Sequence, residues 1–293
     1  MSMHIALFGK PFYKKHQDSV KRVVERVAKI DSGALIYDEF KLELEKYMKL
    51  PASLCSFSTP KDLDSVDLLI TLGGDGTFLE SVTFASAKGI PILGINTGTL
   101  GFLSNVSTDH IYEALDAVCA GKTWIDERSI LHIEAEGVDL GDFPYALNEA
   151  AIHKRKTASM VVVDVRREDR FVNKYWADGL LVSTATGSTA YSLSAGGPIV
   201  SPSSDVALIT PIAPHNLTNR PLIVPLNGEI TLEASGRDAS FLLSLDSRSY
   251  RLKPHAKVRI KPATFKVKLL NLEDQYFFNT LRSKMHWGMD PRG

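Results

Sequence analysis

The stretch Asp67-Leu68-Leu69-Ile70-Thr71-Leu72-Gly73-Gly74-Asp75-Gly76-Thr77-Phe78-Leu79 decides the fold of the first part of the chain. Its opening half is an unbroken apolar run of strand length that stops at two glycines. From Thr77 a pattern of helical period begins and continues through Val82, Phe84 and Ala85. The reading is strand, tight turn, helix. Gly73, Gly74 and Gly76 have no Cβ, so backbone can approach a bulky anion there while the following helix points free N–H groups at it. Phosphate is the anion this favours. Asp75 stands where that phosphate would arrive, which opposes static anion binding but suits a carboxylate that touches a hydroxyl or a metal. A second reading of Asp75 is a helix N-cap, because aspartate commonly accepts N–H bonds at a helix start.

Outward from this unit the same alternation repeats. Ile5-Ala6-Leu7-Phe8 reads as a strand, and from Asp18 a helix follows with Val20, Val23, Val24 and Val27 opposite Lys21, Arg22, Glu25 and Arg26. Ala34-Leu35-Ile36-Tyr37 is the next strand, and Phe40, Leu42, Leu44, Tyr47 and Met48 mark a helix that ends before Pro51. Beyond the central unit, Ile90-Pro91-Ile92-Leu93-Gly94-Ile95 is a buried strand, and Ile111, Ala114, Leu115 and Val118 mark a helix closed by Gly121. Strands alternating with helices predict a parallel, layered sheet in an α/β domain over residues 1–121. Ligands of such sheets bind beyond the carboxyl ends of the strands, so residues 73–77 and 96–101 should face one crevice.

From Trp124 the texture changes to short runs rich in β-branched residues: Leu131-His132-Ile133, Met160-Val161-Val162-Val163-Asp164-Val165 and Leu180-Leu181-Val182-Ser183. Ala207-Leu208-Ile209, Leu222-Ile223-Val224, Ile230-Thr231-Leu232, Phe241-Leu242-Leu243, Val258-Arg259-Ile260 and Phe265-Lys266-Val267-Lys268-Leu269 follow. With Pro-, Gly- and Ser-rich turns between them, residues 122–272 are expected to form a β-rich, sandwich-like domain. Residues 273–293 form a C-terminal segment, with a closing helix from Tyr276 to Trp287 that could pack back on the first domain.

Composition narrows the function classes. A chain of 293 residues accommodates two domains. Its 34 basic and 34 acidic residues cancel, so no global field recommends nucleic acid or an anionic membrane, and small molecules become the default partners. Cys55 and Cys119 are far apart, with no Cys or His at ligand spacing, which supports neither a disulfide scaffold nor a zinc site and fits a reducing cytoplasm. No stretch supplies the ~20 apolar residues of a membrane span, and the chain enters its first strand almost at once. A soluble cytoplasmic protein is the expectation.

Two phosphate motifs are only partial. Gly121-Lys122-Thr123 resembles the end of a P-loop, but the required first glycine would fall at Asp116 and the setting is a helix end. Gly74-Asp75-Gly76 begins like a dinucleotide fingerprint, yet its third glycine position is Leu79. No Gly-x-Ser-x-Gly elbow surrounds Ser194, so a hydrolase nucleophile is not indicated.

Two further stretches point to a site. Asn148 and Glu149 interrupt the apolar run Ala146 to Ile152, and neighbours on a strand face opposite ways, so one solvent face cannot account for both. Either one enters a site or both are wetted at an edge or bulge. Between Ser183 and Ser194, seven Ser and Thr residues crowd among small ones, giving donors, acceptors and room for a flat ligand such as a sugar or base. A hydroxyl-rich loop and helix start is the plainer reading.

Taken together, Gly73-Gly74-Asp75-Gly76-Thr77, Asn148-Glu149, Asp178-Gly179 with the Thr-Gly-Ser-Thr-Ala-Tyr-Ser run at 186–192, and Pro211-Ile212-Ala213-Pro214-His215 resemble the NAD kinase family in order and spacing along nearly the whole chain. The glycine element alone is shared with diacylglycerol, sphingosine and phosphofructokinase relatives. The resemblance implies phosphorylation of the 2′-hydroxyl on the adenosine ribose of NAD by ATP with a divalent cation, Mg²⁺, carried by ATP. It implies that Asp75 is the general base or hydroxyl-orienting group, with Gly76 beside the ribose, and that Gly73, Gly74, Gly76 and Thr77 cradle the donor phosphates. Asn148 and Glu149 would hold the dinucleotide and Asp178 would lie near its nicotinamide end. Thr186, Thr189, Ala190, Tyr191, Ser192, Leu193 and Ser194 would line its ring pockets, with Tyr191 stacking. Phosphoryl transfer is mostly positioning and charge neutralisation, so these parts could suffice without a Walker lysine. The family also implies a homo-oligomer, dimer or tetramer. A lipid kinase sharing the glycine motif and a catalytically silent NAD-binding regulator are the alternatives. Ala185, Trp176 and Arg248 depart from the pattern, standing where a proline, a polar or basic residue, and a glutamine respectively can occur.

Overall fold

A computed structural model describes residues 3–12, 16–98, 101–155, 160–216 and 218–286. The chain divides into two compact units, Met1–Glu127 with Val267–Gly293, and Arg128–Lys266.

In the first unit the strand Leu68–Leu72, buried at all five positions, lies between Ile5–Gly9 and Ile92–Asn96, and every pairing is parallel. Leu35–Tyr37 extends the sheet beside Ile5–Gly9, Cys55–Phe57 beside Leu35–Tyr37, and Val106–Ser107 beside Ile92–Asn96. The period of two along each strand sends side chains to two faces. Ile5, Leu7, Leu68 and Ile70 meet Val20, Val23, Val24 and Val27 of the helix Gln17–Ile30 and Ile111, Ala114, Leu115 and Val118 of Ile111–Cys119 in one core. On the other face Phe8 packs with Phe84 of the helix Asp75–Ala85, and Thr71 donates to Ser81 of that helix at 2.8 Å. A parallel sheet covered on both faces is the layered α/β architecture expected. Cys55–Phe57 escapes sequence reading because Phe57 is its one buried residue and pairing alone makes it a strand.

The second unit is built from two antiparallel sheets. One contains Val161–Arg167 between Arg170–Ala177 and Ile230–Gly236, the last paired in turn with Lys257 to Ile260. The other runs in the order Leu222–Pro225, Val206–Ile212, Gly179–Thr184, Glu149–His153, Phe241–Leu245, Arg248–Leu252. Val161, Val163, Val165, Leu232 and Ala234 from the first sheet and Ile152, Leu180, Val182, Phe241 and Leu243 from the second share one core, which is the sandwich expected.

Arg170–Ala177 and Arg248–Leu252 are strands that the sequence does not announce, being rich in polar residues. Each is the second arm of a hairpin whose turn uses non-glycine residues in the left-handed region, Glu168 and Asp169 at φ 48° and 63° and Asp246 at φ 50°. The runs at 258–260 and 265–269 belong to one 16-residue strand, Lys257–Leu272, whose Leu269 pairs with Ile92 in the first unit. The closing helix is Phe277–Met285, and Trp287, in the expected span, lies outside the described residues. Among the described residues no helix is long and apolar enough to cross a membrane.

Candidate active site

Helix Asp75–Ala85 begins without a side-chain cap, its N-cap position being Gly74. Asp75 does not cap it. Its carboxylate turns to another loop, Oδ2 accepting the Phe102 N–H at 2.9 Å and Oδ1 those of Leu103 and Ser104 at 3.0 Å each. Three donors from one turn, closed by Gly101 N–H to Ser104 C=O at 3.0 Å, satisfy the carboxylate better than its own helix could. Only glycine fits at 101, since a Cβ there would run into the Asp75 carboxylate. The C-terminal helix packs on the same loop: Phe277 lies 6.2 Å from the Phe102 ring, and Lys284 Nζ lies 4.8 Å over that ring and 3.9 Å from Asp75 Oδ2.

With Asp75 engaged elsewhere, the first N–H groups of the helix have no side-chain acceptor among the described residues, the condition under which a helix start can take an anion. A Cβ at Gly74 or Gly76 would meet no atom within 4 Å among the described residues beyond its own chain neighbours and helix backbone, so the space before this turn is open there. Gly73 sits at φ +154°, where a Cβ would strike Thr77. A cleft of about 390 Å³ lies here, lined by Gly73, Gly74, Thr77, Asn96, Lys10 and His16 among others. The loops at 73–77 and 96–98 thus face one crevice, as the strand order requires; residues 99 and 100 lie outside the described residues. Lys10 is held by Glu80 at 2.5 Å, and Asn96 accepts the Gly98 N–H at 2.6 Å. Among the described residues no group of three or more His, Cys, Asp and Glu could hold a metal ion.

In the second unit the chain leaves one sheet after Tyr145–Ala146 and enters the other at Glu149–His153, so Asn148 and Glu149 stand at a crossover and not on a wetted edge. Asn148 is buried, and Glu149 Oε2 is buried without a hydrogen-bond partner among the described residues. Burial first, and the Asp246 carboxylate second, push the Glu149 carboxyl up to about 8, against the opposing pull of the Tyr191 backbone N–H. Ser183, directly across the ladder from Glu149, also has a buried hydroxyl without a partner among the described residues.

Much of the hydroxyl-rich run serves the protein's own backbone. Thr184 donates to Leu147 C=O at 2.6 Å, Ser188 both donates to and accepts from Val200, and Ser192 shares a 3.0 Å bond with Thr210. Thr186 accepts from Arg128 at 3.3 Å, Thr189 donates to Thr186 C=O at 3.3 Å, and Gly187 packs where a Cβ would strike the Asn148 carbonyl. Thr186–Thr189 is a 3-10 turn and Tyr191–Ser194 a single helical turn, with Ala190 and Leu193 half-buried and Ser194 exposed. The Tyr191 ring is 38% exposed and stacks on His153, centroids 5.7 Å apart. Asp178 pairs with Lys154 at 2.5 Å and has His215 Nε2 at 3.9 Å.

The chain is similar to known proteins along nearly its whole length. Residues 39–123 match the ATP-NAD kinase N-terminal domain and residues 147–272 the ATP-NAD kinase C-terminal domain. The NAD kinase of Cytophaga hutchinsonii is 41% identical over 99% of this chain and 100% of its own length. The chain belongs to the ATP-NAD kinase family. The NAD kinase of Flavobacterium psychrophilum is 39% identical over 99% of this chain and 100% of its own. In fold, yeast NADH kinase complexed with NADH aligns at TM-score 0.87 over 98% of this chain and 88% of that one, at 22% identity. An NAD kinase from Archaeoglobus fulgidus in complex with ATP aligns at 0.72 over 97% and 99%, at 24% identity.

Against the family pattern, Arg248 has a definite place here. Its guanidinium donates to the Phe143 and Tyr145 carbonyls and lies 5.2 Å over the Phe143 ring. Ala185 is buried just before the 3-10 turn, and Trp176, half outside the protein, accepts the His215 N–H on its carbonyl at 2.9 Å. Sequence reading gives no role to Lys10, His153, Lys154 or the 102–104 amides. The first three carry only the weak signal of a basic residue at or just past the end of a largely apolar strand, and the amides carry none.

Proposed function

We infer that this chain is an ATP-dependent NAD kinase, transferring the γ-phosphoryl group of ATP to the 2′-hydroxyl of the adenosine ribose of NAD and releasing NADP and ADP. The family and its full-length relatives favour neither a lipid kinase nor a silent NAD-binding regulator. One observation carries the catalytic assignment: a glycine-rich helix start is left uncapped while the aspartate within it is held by a neighbouring loop. That arrangement offers amides for phosphate and a carboxylate for a hydroxyl in one place.

In this reading the amides of Gly73, Gly74, Gly76 and Thr77 take the donor phosphates, with the Lys10 ammonium on the same cleft. Asp75 orients the 2′-hydroxyl and accepts its proton as the phosphoryl group arrives. In the second unit Asn148 and Glu149 hold the dinucleotide, the partnerless Glu149 Oε2 being free for a sugar hydroxyl. Asp178 serves the nicotinamide end. Thr186 and Thr189 to Ser194 line the rings, and the exposed face of Tyr191 supports stacking. The cleft offers amides and an ammonium, which suit anions, so Mg²⁺ would be held by the ATP phosphates and would neutralise their charge. A homodimer or homotetramer and a cytoplasmic location belong to the same reading. The exposed Leu222 and Ile223 on the edge strand Leu222–Pro225 support assembly.

The test is direct. Purified protein with Mg-ATP should form NADP from NAD and leave diacylglycerol untouched; lipid phosphorylation without NADP formation overturns the assignment.

A further inference from the structure

Where the backbone crosses from one sheet to the other, between Ala146 and Glu149, it loses ladder partners, and three successive N–H groups need acceptors. The Asp246 carboxylate supplies all of them. Oδ2 accepts from Leu147 at 2.8 Å, and Oδ1 accepts from Asn148 at 2.8 Å and Glu149 at 3.1 Å. The Asp246 N–H in return donates to the Glu149 C=O at 3.0 Å. Arg248 takes the segment just before, through the carbonyls of Phe143 and Tyr145. The hairpin turn between Phe241–Leu245 and Arg248–Leu252 therefore grips the chain on both sides of Asn148.

The residue type at 246 answers two demands at once. At φ 50° the backbone is in the left-handed region, which aspartate and asparagine tolerate better than other residues with a side chain. Of these two, only aspartate brings two acceptor oxygens to three donors. Backbone direction at 148 and 149 sets where both side chains point, and a misplacement of about 1 Å can cost on the order of 10²-fold in a positioned reaction.

We propose that the Asp246 to Arg248 turn is the positioning device of the dinucleotide site: Asp246 is a positioning residue that fixes Asn148 and Glu149, and Arg248 locks the segment ahead of them. This rests on the proposed role of Asn148 and Glu149 in holding NAD. Neither Asp246 nor Arg248 is assigned a ligand contact.

Full-length Asp246→Asn keeps a residue suited to the left-handed turn but presents an amide NH₂ to a backbone donor. Hydrogen exchange of ligand-free peptides covering 143–150 should accelerate about tenfold or more. KM for NAD should rise about tenfold, the worth of a lost charge-assisted bond, with kcat and KM for ATP within about twofold. Arg248→Gln should accelerate exchange over 143–146 and raise KM for NAD by a smaller factor. Unchanged exchange with unchanged KM for NAD in Asp246→Asn overturns the proposal, as does a fall in kcat with KM for NAD unmoved. Should Asp246→Asn not fold, the same two readouts on Arg248→Gln decide. Glu149→Ala separates the premises: if it leaves KM for NAD unchanged, the NAD-holding role fails and the ligand part of the proposal with it. The exchange data then still decide whether the turn holds the crossover.

Discussion

Asp75 in the first unit and Asp246 in the second each accept three consecutive backbone N–H groups, from 102–104 and from 147–149. What surrounds them differs. Asp246 sits at a hairpin turn, where burial pushes its carboxyl up against the pull of the three N–H groups and the nearby Arg248 charge. Asp75 sits in the first turn of a helix that it does not cap, with 30% of its side chain exposed and a lysine at 3.9 Å. One carboxylate is spent on the backbone. The other does the same work yet still faces solvent, so a substrate hydroxyl can reach lone pairs that the loop leaves over. An identical hydrogen-bonding device is closed off in one place and left partly open to solvent in the other, and that exposure is what the proposed catalytic role of Asp75 requires.

The comparison breaks most visibly at Asp75. Asp75→Asn should lower kcat by ~10²–10⁴-fold, as loss of a general base does. Because one oxygen replaces two before three N–H groups, it should also cost about 1–3 kcal/mol of stability, which a mere exchange of capping residues would not. Steady-state kinetics with urea unfolding check both; an ordinary kcat with reduced stability would make Asp75 a loop anchor like Asp246.

A smaller effect concerns Glu149, whose carboxyl is raised from 4.5 to about 8. Its folded value lies above its unfolded one, so the folded state keeps a proton that the unfolded chain gives up. The contribution is fully present below pH 4.5 and is lost as pH rises through about 8. Between these limits wild type should lose on the order of a few kcal/mol relative to Glu149→Gln, measured as unfolding free energy at pH 5 and pH 9. Parallel pH profiles for the two proteins would assign the titration elsewhere. The smallest effect belongs to Lys284, 35% exposed beside Asp75. Lys284→Met should change stability by no more than about 1 kcal/mol, as exposed ion pairs do. A larger loss in thermal unfolding would show that Asp75 leans on its cation as well as on its loop.

Most of the first unit was legible because Ile5–Gly9, Leu68–Leu72 and Ile92–Asn96 are largely apolar runs and the helices Gln17–Ile30 and Ile111–Cys119 carry apolar faces, whereas the short strands Cys55–Phe57 and Val106–Ser107 were not. Asp75 was legible as a carboxylate in a glycine-rich strand-to-helix turn, but its partners were not, since Phe102, Leu103 and Ser104 act through backbone N–H groups that carry no side-chain signal. Asn148 and Glu149 were visible as polar residues inside an apolar run. The residue that holds them lies 97 and 98 positions away in a hairpin lacking glycine, so neither spacing nor turn signal exposes it. Composition counted the hydroxyls of 183–194 correctly but could not tell that Thr184, Ser188 and Ser192 already have partners inside the protein.

The strand Lys257–Leu272 has a consequence for biosynthesis. Its last residues join the sheet that contains Ile5–Gly9, with Leu269 against Ile92, Asn271 bonded to Asn105 and the Leu272 carbonyl to Trp124. A ribosome finishes residues 1–127 well before it reaches 267. At about 5–20 residues per second the intervening stretch takes roughly 7–30 s to make. Throughout that interval the nascent first unit carries an unpaired strand edge at Ile92, open to wrong partners until Leu269 and its neighbours supply the right one.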